Sequence, residues 1–106
     1  MINVSEIQLE IILDIIKRHV PHCEVRAFGS RYKWTAKVYS DLDLSIVGED
    51  KLDWIMLADI EEAFQESDLP FRVDILDWNA ISPEFKKVIE LGYEVIYKDI
   101  IDYIAN

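Results

Sequence analysis

Seven residues, Asp41-Leu42-Asp43-Leu44-Ser45-Ile46-Val47, restrict the fold more than any other part of this chain. Leu42, Leu44 and Ile46 alternate with Asp41, Asp43 and Ser45. A period of two is that of a strand, so the stretch sets its aliphatic side chains on one sheet face and two carboxylates on the other. Same-face residues lie about 6–7 Å apart along a strand. The apolar face has to be covered by helices, whereas the carboxylate face has to stay accessible, which points to a mixed, open sheet.

The rest of the chain supplies the cover. Asn3 is the expected N-cap of a first helix, with Glu6 as its capping-box partner and Ile7, Ile11, Ile12, Ile15 and Ile16 as its inner stripe. Pro21 ends that helix. His19 and His22 flank the proline and read as helix-end and loop residues. Residues 23–28 form a first strand, closed by Gly29. Residues 31–34 form one or two helical turns with Ser30 as N-cap, where free N–H groups favour an anion. A loop over 35–40 returns the chain to the sheet. A second long helix runs over 52–64, capped by Asp50, with Leu52, Ile55, Met56, Ile60, Ala63 and Phe64 inward. The third strand, 71–76, turns Phe71, Val73 and Ile75 inward and Arg72 and Asp74 outward. Ser82-Pro83 starts another helix, with Phe85, Val88, Ile89 and Leu91 inward and Gly92 as its stop. Residues 93–97 are a last strand, and 99–104 a short terminal helix that packs on the body or on another chain. The expectation is an α/β (α+β) fold, a mixed sheet flanked by helices, in one domain spanning 1–106.

Charge and cysteine content narrow the class. Acidic residues outnumber basic ones by 21 to 11, which opposes direct binding to nucleic acid. The surplus serves solvation, or complementarity to a basic partner protein. Cys23 is the lone cysteine, so no internal disulfide forms and a reducing compartment is expected. No leader-like segment and no membrane-length apolar run occur, so the expected location is the cytoplasm.

The chemistry lies in the order of residues around the opening stretch. Asp74 joins Asp41 and Asp43 when its strand neighbours theirs. Three carboxylates on one face repel, and a divalent cation relieves that conflict. Mg2+ binds through a few carboxylates and completes its shell with water and phosphate oxygens. Two such ions about 3.5–4 Å apart clamp an in-line phosphoryl displacement. Asp41 and Asp43 are then the ligands of the triphosphate-bound ion, and Asp43 with Asp74 those of the ion that activates the attacking hydroxyl. Gly29 and Ser30 offer backbone and side-chain contacts to the terminal phosphates. A bare Asp-x-Asp or Gly-Ser is common on solvated strands and turns; the ordered combination carries the reading.

Gly29-Ser30, ten intervening residues and Asp41-Leu42-Asp43-Leu44 resemble the signature of the DNA polymerase beta-like nucleotidyltransferase superfamily. Arg31, Ser40, the segment Val73-Asp74-Ile75-Leu76-Asp77 and Ile81-Ser82-Pro83 are similar to its minimal nucleotidyltransferases, the MNT proteins. The resemblance covers nearly the whole chain. It implies Asp41, Asp43 and Asp74 as catalytic, metal-binding carboxylates, and Gly29, Ser30 and Arg31 at the nucleotide. It further implies an Mg2+-dependent protein adenylyltransferase, the antitoxin of a type VII-like pair. The family activity transfers AMP from ATP to a tyrosine of a HEPN ribonuclease toxin and releases pyrophosphate. Tyr32 and Trp34 depart from the small residues common there. The alternative reading is a non-catalytic antitoxin that neutralises its toxin by binding alone.

Overall fold

The computed structural model describes residues 1–99. In chain order the elements are α1 (Glu6–His19), β1 (Glu24–Phe28), α2 (Ser30–Lys33), β2 (Leu42–Val47), α3 (Trp54–Gln65), β3 (Val73–Asp77), a 3-10 turn (Trp78–Ala80), α4 (Pro83–Glu90) and β4 (Glu94–Tyr97). The strands form one mixed sheet in the order β3-β2-β1-β4. β1 pairs antiparallel with β2 and with β4, and β2 pairs parallel with β3. The expected α/β fold with a mixed sheet is therefore the observed one. The tail helix expected over 99–104 falls, beyond Asp99, outside the described residues.

Alternation along β2 decides which side is core. Leu42, Leu44 and Ile46 are at most 2% exposed, and Val25, Ala27, Val73 and Ile75 join them on the same face. Ile12, Ile15 and Ile16 of α1 with Ile60 and Phe64 of α3 close over that face. α4 lies against the other face, where Phe85 meets Phe28 edge-on at 6.2 Å.

Helix starts differ from the sequence reading for identifiable reasons. The N-cap of α1 is Ser5, whose hydroxyl accepts from the Gln8 N–H while Gln8 Oε1 accepts from the Ser5 N–H, a reciprocal capping box. Asn3 is committed elsewhere: its N–H donates to the Arg31 carbonyl and its own carbonyl accepts from the Arg31 guanidinium. α3 starts at Trp54 behind Asp53, not behind Asp50. The preceding residues are tied down, because Asn79 Nδ2 donates to the Gly48 and Asp50 carbonyls and the Leu52 N–H donates to Asp77 Oδ2. Ser82 caps α4 with Pro83 in its first turn, as expected.

The apolar stripes are narrower than their spacing implied. Ile7 is 71% exposed, and Ile55, Met56, Phe85, Val88 and Leu91 are exposed as well, so α4 buries only Ile89 among its residues. A four-stranded sheet offers too little area to cover every apolar position of three long helices.

The cap reassignment is testable by thermal or chemical denaturation. Ser5→Ala is expected to lower stability by about 1 kcal/mol, whereas Asn3→Ala, whose contacts run through its backbone, stays within about 0.5 kcal/mol of the parent.

Candidate functional site

The register of three strands assembles the site. Across β1 and β2, Phe28 stands opposite Asp43; across β2 and β3, Asp43 stands opposite Asp74. Asp41 immediately precedes β2 on the same side. Asp43 is half-buried and Asp74 exposed, so the cluster sits where the carboxylate face opens to solvent.

Gly29 makes this approach possible. Its φ is +74°, a left-handed conformation that glycine adopts without strain. A Cβ built there would run into Asp43 Oδ2, so alanine would be strained in its backbone and would push the Asp43 carboxylate aside. Gly29 is also the N-cap of α2, with no side-chain cap, and Ser30 is its first helical residue, not its cap as expected. α2 is a single turn, so its macrodipole is small, and the anion-binding capacity of this corner rests on local N–H groups.

Arg31 turns its guanidinium to backbone carbonyls beside Asp41, whose charge acts on it. It is 5% exposed, with its guanidinium 3.8 Å from the centre of the Phe71 ring. Its nitrogens donate to the carbonyls of Asn3, Lys37, Val38 and Ser40. The structure thus commits Arg31 to the loop that delivers Asp41. Tyr32 packs against Gly92, where a Cβ would come within 2.7 Å of its ring. Trp34 adopts a left-handed conformation, stands outward and donates its indole N–H to the Met1 carbonyl.

Alternation marks Arg72 only as an outward residue, yet it is part of the cluster. Its Nε and Nη2 donate to Asp41 Oδ2 at 3.2 and 2.7 Å. The alternation that put Asp74 outward put Arg72 beside it, which was the available signal. Asp77 is buried and accepts from the Leu52 and Asn79 N–H groups, a structural role. Ser45, expected on the open polar face, is sealed, and its hydroxyl has no partner among the described residues. It stands opposite Arg26, whose guanidinium lies between the Trp78 and Tyr93 rings.

Electrostatics follow from this packing. Burial, then the charges of Asp74 and Asp41, push the Asp43 carboxyl above its ordinary value, against a smaller opposing pull from Arg72. The hydrogen bond and charge of Asp41 raise Arg72. Among the described residues no three His, Cys, Asp or Glu side chains converge around a common point for an ion; Asp41 is turned to Arg72 instead. The donor chemistry still fits Mg2+, which needs one or two carboxylates besides water and phosphate oxygens. Asp43 and Asp74 side by side, with Asp41 adjoining, supply them. Beside Gly29 a cavity of about 480 Å³ is walled by Phe28, Tyr32, Lys33, Val88, Leu91 and Gly92.

Comparison with known proteins identifies the family and the fold. The model of the polymerase beta nucleotidyltransferase family matches residues 10–100. The chain is 46% identical over 95 residues to the probable protein adenylyltransferase MntA of Haemophilus influenzae, covering 90% of this chain and 83% of that protein. A crystal structure of a toxin–antitoxin with AMP-PNP superposes with a TM-score of 0.74 at 21% identity, over 89% of this chain and 76% of that one. A tri-AMPylated Shewanella oneidensis HEPN toxin in complex with an MNT antitoxin gives 0.69 at 19% identity, over 96% and 79%. At these identities the two structures establish the fold.

The raised Asp43 sets a pH dependence. A carboxyl whose folded-state value lies above its unfolded one favours the fold below the unfolded value, and loses that contribution as pH rises through the folded one. Asp43→Asn is therefore expected to raise the Tm at pH 7, by at most about 5 °C given the solvent exposure. The gain vanishes below about pH 3.9, where the carboxyl is protonated in both states. Differential scanning calorimetry across pH checks this; an unchanged or lower Tm at pH 7 contradicts it.

Proposed function

Because the chain belongs to the minimal branch of the polymerase beta nucleotidyltransferase family, we propose that it is the antitoxin of a HEPN/MNT pair. In this reading it transfers AMP from ATP to a tyrosine of the toxin in the cytoplasm. The observation that carries the reading is the juxtaposition of Asp43 with Asp74 across β2 and β3, beside Asp41 and the Gly29 corner. The names of the relatives support the partner and the reaction: an adenylyltransferase at 46% identity, and an antitoxin in complex with a tri-AMPylated HEPN toxin.

The chain's residues divide the work. Gly29 and Ser30 meet the polyphosphate, while the cavity beside Gly29 offers apolar walls and Lys33 to the rest of the nucleotide. The acceptor phenol oxygen bonds to the α-phosphorus as the α–β bridging bond breaks, pyrophosphate departs, and the phenolic proton passes to the carboxylate cluster. Asp41, Asp43 and Asp74 would hold Mg2+, which when bound neutralises charge on the phosphates and activates the hydroxyl. No helix of the described residues is long and apolar enough to cross a membrane.

One observation favours binding alone as a second reading. Trp54 on α3, and Phe85, Val88 and Leu91 at and just beyond α4, expose apolar surface that a partner protein can cover with no chemistry.

The two readings separate in one experiment. Incubation of the purified chain with ATP, Mg2+ and its helical partner is expected to add one or more AMP masses to that partner. Asp41→Asn with Asp43→Asn should cut transfer by at least about 100-fold while the complex still forms. A double variant that protects cells as well as the parent establishes neutralisation by binding, and an unmodified partner in a formed complex refutes the transferase.

A further inference from the structure

Arg72 differs from every other basic residue near the site. Its backbone is fixed, because its carbonyl accepts from the Leu42 N–H at 2.9 Å and so extends the ladder between β2 and β3. Its side chain is 70% exposed and touches Asp41 through two donors on a single carboxylate oxygen. Asp41 is itself 38% exposed, so little packing opposes separation of the pair. The charges of Asp41, Asp74 and Asp43 all act on this guanidinium. Alternation sets Arg72 and Asp74 on the same sheet face. A hollow of about 180 Å³ beside them is also lined by Glu61 of α3.

Neighbouring carboxylates repel, and a nearby cation relieves that repulsion. We propose that Arg72 is the resident counter-cation of the cluster, and that a divalent ion reaches Asp41 by displacing the Arg72 guanidinium. The proposal rests on the reading of Asp41, Asp43 and Asp74 as divalent-ion ligands, and concerns what occupies Asp41 before the ion does. It accounts for the absence of a converged three-carboxylate arrangement among the described residues: one carboxylate is held by the arginine. It also gives Arg72 a cost and a benefit. The cation lowers the apparent affinity for free divalent ion, and in return stabilises the cluster when no ion is present.

The test uses the chain alone, without nucleotide or partner, and Mn2+ as probe, with free ion counted by electron paramagnetic resonance. Arg72→Gln is expected to bind Mn2+ about two- to fivefold more tightly than the parent. Arg72→Glu should bind more tightly again, and Arg72→Lys, which keeps the charge, should stay within about twofold. The Gln variant should also have a lower Tm without divalent ion and show a larger upward shift when Mn2+ is added. Equal or weaker Mn2+ binding by the Gln and Glu variants overturns the proposal, as does a Lys variant that tightens as much as Gln. Absence of Mn2+ binding in all four proteins overturns both this proposal and the metal-ligand reading. Intact Mn2+ binding with no AMP transfer defeats the transferase reading and leaves the role of Arg72 standing.

Discussion

The parallel pairing of β2 with β3 sets Leu42 against Val73, Asp43 against Asp74 and Leu44 against Ile75. One register therefore places the aliphatic residues in the core and brings two carboxylates face to face. Their repulsion opposes the arrangement, and the core opposes any slip: each buried Leu, Ile or Val contributes about 1.5–3 kcal/mol. A one-residue shift would turn Asp43 or Asp74 into the apolar layer. The site is a by-product of a hydrophobic registration that α1 and α3 enforce from behind. Core packing thus fixes where the carboxylates stand, and Arg72 offsets part of their repulsion.

Two arginines manage the approach to this cluster, and they do so oppositely. Arg31 is buried, spreads its donors over four backbone carbonyls and packs on Phe71. That fork geometry suits a guanidinium and would be lost on a lysine. It holds residues 37–40 in place and so fixes where Asp41 enters β2. Arg72 is exposed and meets one oxygen of Asp41. A buried, multiply bonded arginine acts as a rivet, whereas an exposed one paired with a single carboxylate can be exchanged for another cation.

Much of this was legible in the residues. Period-two alternation in two segments sufficed to put Asp41, Asp43 and Asp74 on one side of one sheet, because the apolar partners of each strand had to share the other side. The order of helices and strands was legible for the same reason. Other features depend on contacts between distant segments, which local patterns do not encode. Ser5 outcompetes Asn3 as a cap because Asn3 is bound to Arg31, 28 positions away. α3 starts late because Asp77 and Asn79 hold the residues before it. Arg31 sits next to the Gly-Ser pair in sequence, yet the turn of α2 carries its side chain to the loop carbonyls. Ser45 alternates with the aspartates but lies deeper along the strand, opposite the aromatic-flanked Arg26.

The central claim is that Gly29, Asp41, Asp43 and Asp74 constitute one site for a nucleotide with its divalent ion. The most direct test is paramagnetic line broadening of backbone amides in the 15N-labelled chain, with sub-stoichiometric Mn2+ and a non-hydrolysable ATP analogue. The account predicts that signals of residues 28–30, 41–44 and 73–75 disappear first, while those of the acidic outer faces of α1 and α3 persist. Broadening centred on those helix faces, or spread evenly over the acidic surface, would contradict it.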